Sequence, residues 1–146
     1  MKEIVLTRLC RRLKVSVLSF EQRFDIDANG SPGSEYTAYV VHIIDILDRN
    51  QWKLYKRYSD FSKLYSQVNN RFATVLIDYK FPNKSMFNTF STFTKVRRRE
   101  GFDDLMQRLL NINPAPEELS YFLELDEHIE ESTWIQPPPS VTESTG

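Results

Sequence analysis

The chain has 146 residues and a mass of 17.3 kDa, the size of one domain with short appendages. With 40% hydrophobic and 27% charged residues it can build a core, which excludes wholesale disorder. A net charge of −1 excludes a uniformly basic nucleic-acid binder, but that total hides a sorted distribution. Residues 1–79 balance to +3, residues 80–99 to +6 with no acid among them, and residues 100–146 to −10. The basic block invites an anionic partner. A single cysteine, Cys10, rules out an internal disulfide. No apolar run approaches the roughly 20 residues of a spanning helix, and no secretory signal pattern is present. The reading is a soluble protein facing the cytosol.

In chain order, residues 1–11 form an N-terminal extension that fits either a strand continuation or a short helix. Leu13, Val15 and Val17 alternate with Lys14 and Ser16, which predicts a first strand over Leu13–Phe20. Gly30, Pro32 and Gly33 mark a loop. Tyr36–Leu47 is dense in β-branched and aromatic residues and reads as the second strand. Asp48–Gln51 is a hairpin connection, and Trp52–Tyr58 returns as a third strand. The period then changes. Ser59 is a candidate N-cap, and Phe61, Leu64, Tyr65 and Val68 recur at helical spacing. Phe72–Phe93 is long and irregular, the kind of connection that carries function. A second helix runs from about Thr94 to Leu110 on a stripe of Phe102, Leu105, Met106 and Leu109. Pro116 fits the first turn of a third. Residues 127–146 form an acidic and then Pro/Ser/Thr-rich tail, expected to be flexible. The fold class is α+β: a three-stranded antiparallel β-meander packed against a helical subdomain of three or more helices.

No catalytic constellation is visible. His42 and His128 lie far apart in sequence, Cys10 has no second cysteine for a metal site, and the four glycines form no phosphate-cradling loop. The acids of the tail read as a solvated face. No enzyme, cofactor or metal is expected. What stands out is basic residues beside aromatics: Arg57-Tyr58 at a strand-to-helix junction, Lys84 in the long loop, and Arg97-Arg98-Arg99 near a helix start. Three cations there oppose the helix dipole, and an anion would relieve them.

The stretch Tyr55-Lys-Arg-Tyr-Ser-Asp-Phe61 resembles the Arg-Tyr-Ser-x-Phe signature of PX (phox-homology) domains, of the sorting-nexin kind. A helix, a Pro82-x-Lys84 loop and Arg98-Arg-Glu-Gly-Phe-Asp-Asp-Leu105 follow in the family's order. The resemblance spans about residues 12–126. It implies a non-catalytic membrane-targeting module that binds phosphatidylinositol 3-phosphate, peripheral on endosomal membranes. It further implies that Arg57 grips the 3-phosphate, Tyr58 walls the inositol ring, Lys84 meets the 1-phosphate and Arg98 bonds the 4- and 5-hydroxyls. The chemistry is apt: arginine offers a planar fork to phosphate oxygens, lysine a point charge on a flexible stem. The resemblance places Met86 and Phe87 in a membrane-inserting loop. Arg97 and Arg99, splayed about 100° to either side of Arg98, are expected to face solvent or membrane. Phe93, beside the helix, is expected to pack on the core, with Phe90 divided between core and surface. An alternative is a protein-interaction adaptor using the tail and Pro137–Pro139. The −10 segment argues against nucleic acid.

Overall fold

The computed structural model describes residues 3–84 and 90–130. Met86, Phe87 and Pro137–Pro139 lie outside the described residues. The chain runs α1 (Glu3–Arg11), β1 (Leu13–Ile26), β2 (Pro32–Asp45), β3 (Gln51–Lys56), α2 (Tyr58–Val68), α3 (Thr92–Leu110), α4 (Glu117–Phe122) and α5 (Leu125–His128). The strands form one antiparallel sheet in the order β1-β2-β3, the meander expected from the sequence. Its first two strands are longer than their patterns suggest and meet beyond the alternating region as a hairpin, with register shifts at Val17/Ser19 and Phe24/Ile26. That solvated end lacks a buried face, so it carries no hydrophobic alternation to read.

Residues 3–11 are a helix, and Leu6, Leu9 and Cys10 are buried in the core. Burial pushes the Cys10 thiol up to about 12, which leaves it protonated and unreactive near neutrality. The inner positions of the sheet, Val15, Val17, Tyr39, Val41, Ile43 and Leu54, pack against Phe61 and Leu64 of α2 and Phe102, Leu105, Met106 and Leu109 of α3. Trp52 fastens the C-terminal end: its indole N–H donates to the Leu123 carbonyl at 3.1 Å, and His128 stacks on its ring with centroids 4.6 Å apart. With Ile129 buried as well, the domain runs past residue 126, and the start of the expected tail is packed rather than free.

β1 is an edge strand, and an edge exposes unpaired backbone groups. Here α3 covers it. Arg99 donates to the Val17 carbonyl at 2.9 Å, the Val17 N–H donates to Asp103 Oδ1 at 2.9 Å, and Gln107 Nε2 donates to the Val15 carbonyl at 2.6 Å. These three side chains are four residues apart and share one helix face. Arg99 therefore does not turn to solvent or membrane, as its angle from Arg98 suggests; it is spent on the sheet edge. Phe93 likewise stays out of the core, 69% exposed. The buried stripe runs through Thr94, Arg98 and Phe102, and Phe93 sits one residue off it.

Arg12, between α1 and β1, reaches the fully buried Asp45 at the end of β2, with Nε donating to Oδ1 at 2.8 Å. The Leu47 N–H also donates to Asp45 Oδ1, at 3.1 Å, closing the β2–β3 turn. Burial pushes the Asp45 carboxyl up, but its bonds from Arg12 and Leu47 outweigh this and hold it below the usual range. Asp45→Ala should cost about 3 kcal/mol, as expected for breaking a buried pair, in urea unfolding at pH 7. Because the folded carboxyl titrates below its unfolded value near ~3.9, this contribution is complete above that value. The gap between wild type and variant should narrow as the pH falls below about 4 and the folded carboxylate is protonated.

Candidate functional site

At the β3–α2 junction the chain turns from extended to helical at Arg57, with φ −88° and ψ 165°. Arg57, rather than Ser59, is the cap residue: Asp60 reaches back to accept from the Arg57 N–H at 2.8 Å. Acidic Asp60 in the first turn also suits the helix dipole. This fixes Arg57 at the lip of a recess of about 240 Å³ lined by residues of β2, α2 and α3 and by Phe90. The Arg57 guanidinium is half-exposed, 4.1 Å above the Tyr36 ring, and forms an ion pair with Asp25 at 3.4 Å.

Arg98 faces the same recess from α3. It is 7% exposed, and its guanidinium lies 4.2 Å over the Tyr58 ring. Among the described residues no carboxylate pairs with it. Its hydrogen bond, to the Lys84 carbonyl, is long at 3.5 Å, and its Nε has no partner. The buried hydroxyl of Tyr39, which also lines the recess, makes no well-formed hydrogen bond, its closest approach to one being to Arg98. Burial raises the hydroxyl pKa of both Tyr39 and Tyr58, and the nearby Arg98 charge opposes the rise. Both phenols are therefore neutral near pH 7 and can donate as well as accept. A buried cation without a counter-ion, beside a hydroxyl without a well-formed bond, costs stability and is unusual unless a ligand completes the set.

The loop leading to Lys84 is pinned from two sides. Tyr58 donates its hydroxyl proton to the Pro82 carbonyl at 2.5 Å, and Tyr79 donates to the Gly101 carbonyl at 2.7 Å. Lys84 itself is exposed and does not line the recess; only its carbonyl is joined to Arg98. Of the four ligand candidates, Arg57, Tyr58 and Arg98 line the recess, and Lys84 adjoins it through its carbonyl on Arg98. The remaining bases disperse. Lys95 is buried between Phe20 and Phe90, and Arg97 sits over the exposed Phe93. No local pattern marks Tyr36, Tyr39, Asp25 and Glu35, because they meet the recess only where the β1–β2 hairpin comes up against Arg57, 32 positions beyond Asp25, and Arg98.

Two other features compete for attention. A larger recess of about 490 Å³ lies behind the Pro82 loop, where Lys80 and Arg97 are offset by Glu100 and Asp104. Its lining sets two acids against two bases, whereas the smaller recess is lined by two arginines and one glutamate. Glu124, Glu127 and His128 bring ligand atoms within 4.8 Å of one another, but Glu124 pairs with Lys56 and His128 is stacked on Trp52.

The sequence profile of the PX domain matches residues 45–126, which contain Arg57, Tyr58 and Arg98. The chain belongs to the PX domain family. No curated protein sequence matches it. Among solved structures, the mouse SNX19 PX domain with bound sulphate ion is similar at a TM-score of 0.59 and 17% identity, covering 78% of this chain and 97% of that one. A designed CISK-PX domain is similar at a TM-score of 0.59 and 21% identity, covering 75% and 96%. PX domains are in general non-catalytic, phosphoinositide-binding membrane-targeting modules. Among the described residues no helix is long and apolar enough to cross a membrane.

Gly101 shows why this PX domain has a glycine after its arginines. A Cβ there would meet Pro82 Cγ at 2.7 Å, and the proline ring cannot swing aside. Gly101→Ala should therefore push the Pro82 loop off α3, at a cost of about 1–3 kcal/mol from overpacking. The expected readouts are a lower melting temperature and altered amide shifts at Tyr58 and Lys84, whose loop contacts Tyr58 anchors.

Proposed function

We propose that this PX domain binds the headgroup of phosphatidylinositol 3-phosphate and recruits its chain to endosomal membranes. The observation that supports this most is the buried, carboxylate-free guanidinium of Arg98 on the Tyr58 ring, facing the same recess as Arg57. Arg57, at the lip, is the residue for the 3-phosphate, since its exposed pair with Asp25 is weak and exchangeable. Tyr58 forms the aromatic wall, and Arg98 donates to the 4- and 5-hydroxyls. Lys84, exposed and adjoining the recess through its carbonyl on Arg98, is suited to the 1-phosphate at the lipid end.

Met86 and Phe87 are proposed to enter lipid, and the flanking Phe90 and Phe93 are exposed, at 56% and 69%. Burying an apolar side chain contributes roughly 1.5–3 kcal/mol, and a nearby base adds about 1 kcal/mol on an anionic leaflet. With phosphate bonds of roughly 1.5–3 kcal/mol each, these terms reach micromolar affinity after ordering costs. The device is coincidence detection: a headgroup recess, an apolar wedge and a diffuse positive field. Endosomal recruitment follows from the lipid chosen.

Liposome cosedimentation tests this. Wild type should bind vesicles containing phosphatidylinositol 3-phosphate at least tenfold better than vesicles matched in charge with phosphatidylserine. Arg57→Ala and Arg98→Ala should each abolish that difference while thermal melts show the fold retained. Equal binding of wild type and both variants to the two vesicle types would refute the proposal.

A further inference from the structure

Two carboxylates of the β1–β2 hairpin reach the recess, Glu35 in its lining and Asp25 through Arg57, and headgroup binding has no evident use for either. Asp25 lies near the far end of β1 and holds Arg57 at 3.4 Å. Glu35, opposite Phe24 across the β1–β2 hairpin, lines the recess itself, and its Oε1 accepts from Gln22 Nε2 at 2.9 Å. Gly33 lets this end of the hairpin close tightly: a Cβ there would meet the Asp25 carbonyl at 3.2 Å. Both acids are thus held by the sheet beside the cation that meets phosphate.

We infer that Asp25 and Glu35 limit the recess to one ring phosphate and so select monophosphorylated over bisphosphorylated inositol headgroups. This rests on the headgroup-binding reading above. The cationic side chains lining the recess are Arg57 and Arg98. One phosphomonoester displaces Asp25 from Arg57, because a phosphate accepts the guanidinium fork better than a single carboxylate contact does. The displaced carboxylate stays on the same β1–β2 hairpin that presents Glu35 to the recess. A second ring phosphate brings a further charge of about −1.5 to −2. It would enter a space whose two cations are already engaged and whose rim is negative. Like charges at an interface reject the wrong partner more than they weaken the right one.

The test uses Asp25→Asn/Glu35→Gln, which keeps the shape of two exposed side chains and should leave the melting temperature unchanged. Wild type and double variant are compared on vesicles carrying phosphatidylinositol 3-phosphate, the 3,4-bisphosphate or the 3,5-bisphosphate, at matched total charge and low salt. The variant should gain about three- to tenfold in affinity for the bisphosphates relative to the monophosphate, and the gain should shrink at high salt. An unchanged ratio, or an equal gain on all three vesicles, would overturn the inference and leave headgroup binding standing. Loss of phosphoinositide dependence in the wild type, with Arg57→Ala indistinguishable from it, would overturn both.

Discussion

The stacked pair Phe61–Phe102 is the contact on which the rest of the structure depends. The rings are parallel within 1° with centroids 4.0 Å apart, and both side chains are fully buried. Tyr39 of the sheet meets Phe102 edge-on at 4.9 Å, and Phe122 of α4 approaches Phe61 at 5.0 Å. One aromatic cluster thereby joins sheet, α2, α3 and α4. Aromatic pairs of this kind contribute beyond their area and prefer defined geometries, so they fix angles as well as distances. The site inherits that geometry. Tyr58 lies one turn before Phe61 on α2, and Arg98 one turn before Phe102 on α3. Stacking the two phenylalanines therefore brings the guanidinium of Arg98 over the ring of Tyr58.

A second constraint sets the rotation of α3. Arg99, Asp103 and Gln107 satisfy the open backbone edge of β1. With that face committed to the sheet, the neighbouring stripe of Arg98, Phe102, Leu105 and Leu109 turns inward. Arg98 is carried beneath the surface at the one point where the stripe leaves the apolar core and meets the recess. Its cationic charge is tolerated there by the Tyr58 face, yet its Nε stays unpartnered. Protein stability is small, and an unpaired buried polar group is a measurable fraction of it. A binding site that keeps one unsatisfied is preorganised for its ligand, since the desolvation cost is met on folding rather than on binding.

The sorted charge along the chain reads differently once folded. Of the six bases in residues 80–99, Arg98 enters the recess, Arg99 ties the sheet edge and Lys95 is buried among aromatics. Arg97 remains outward beside Phe93. A helix turns successive residues through about 100°, so a run of three arginines cannot act as one patch. The second cation lining the recess, Arg57, comes from outside the block, and Asp25 of the β1–β2 hairpin pairs with it.

How much was legible follows from the range of each interaction. Local patterns determined the α+β class, the antiparallel meander, the amphipathic faces of α2 and α3, and the order of motifs that marks Arg57, Tyr58 and Arg98. Those features rest on backbone period and on short motifs read within a few residues. Tertiary structure alone decided that α1 contributes Leu6 and Leu9 to the core, that Arg99 serves the β1 edge, and that Phe93 faces outward. It alone brought Glu35 and Tyr39 into the recess, Asp25 onto Arg57 and the Lys84 carbonyl onto Arg98. The seating of α3 on an edge strand and of the hairpin on Arg57 join residues 86 and 32 positions apart, and no local pattern encodes such a meeting. The net charge of −1 belongs to the same lesson: composition determined the number of charges, and packing decided which of them a ligand could meet.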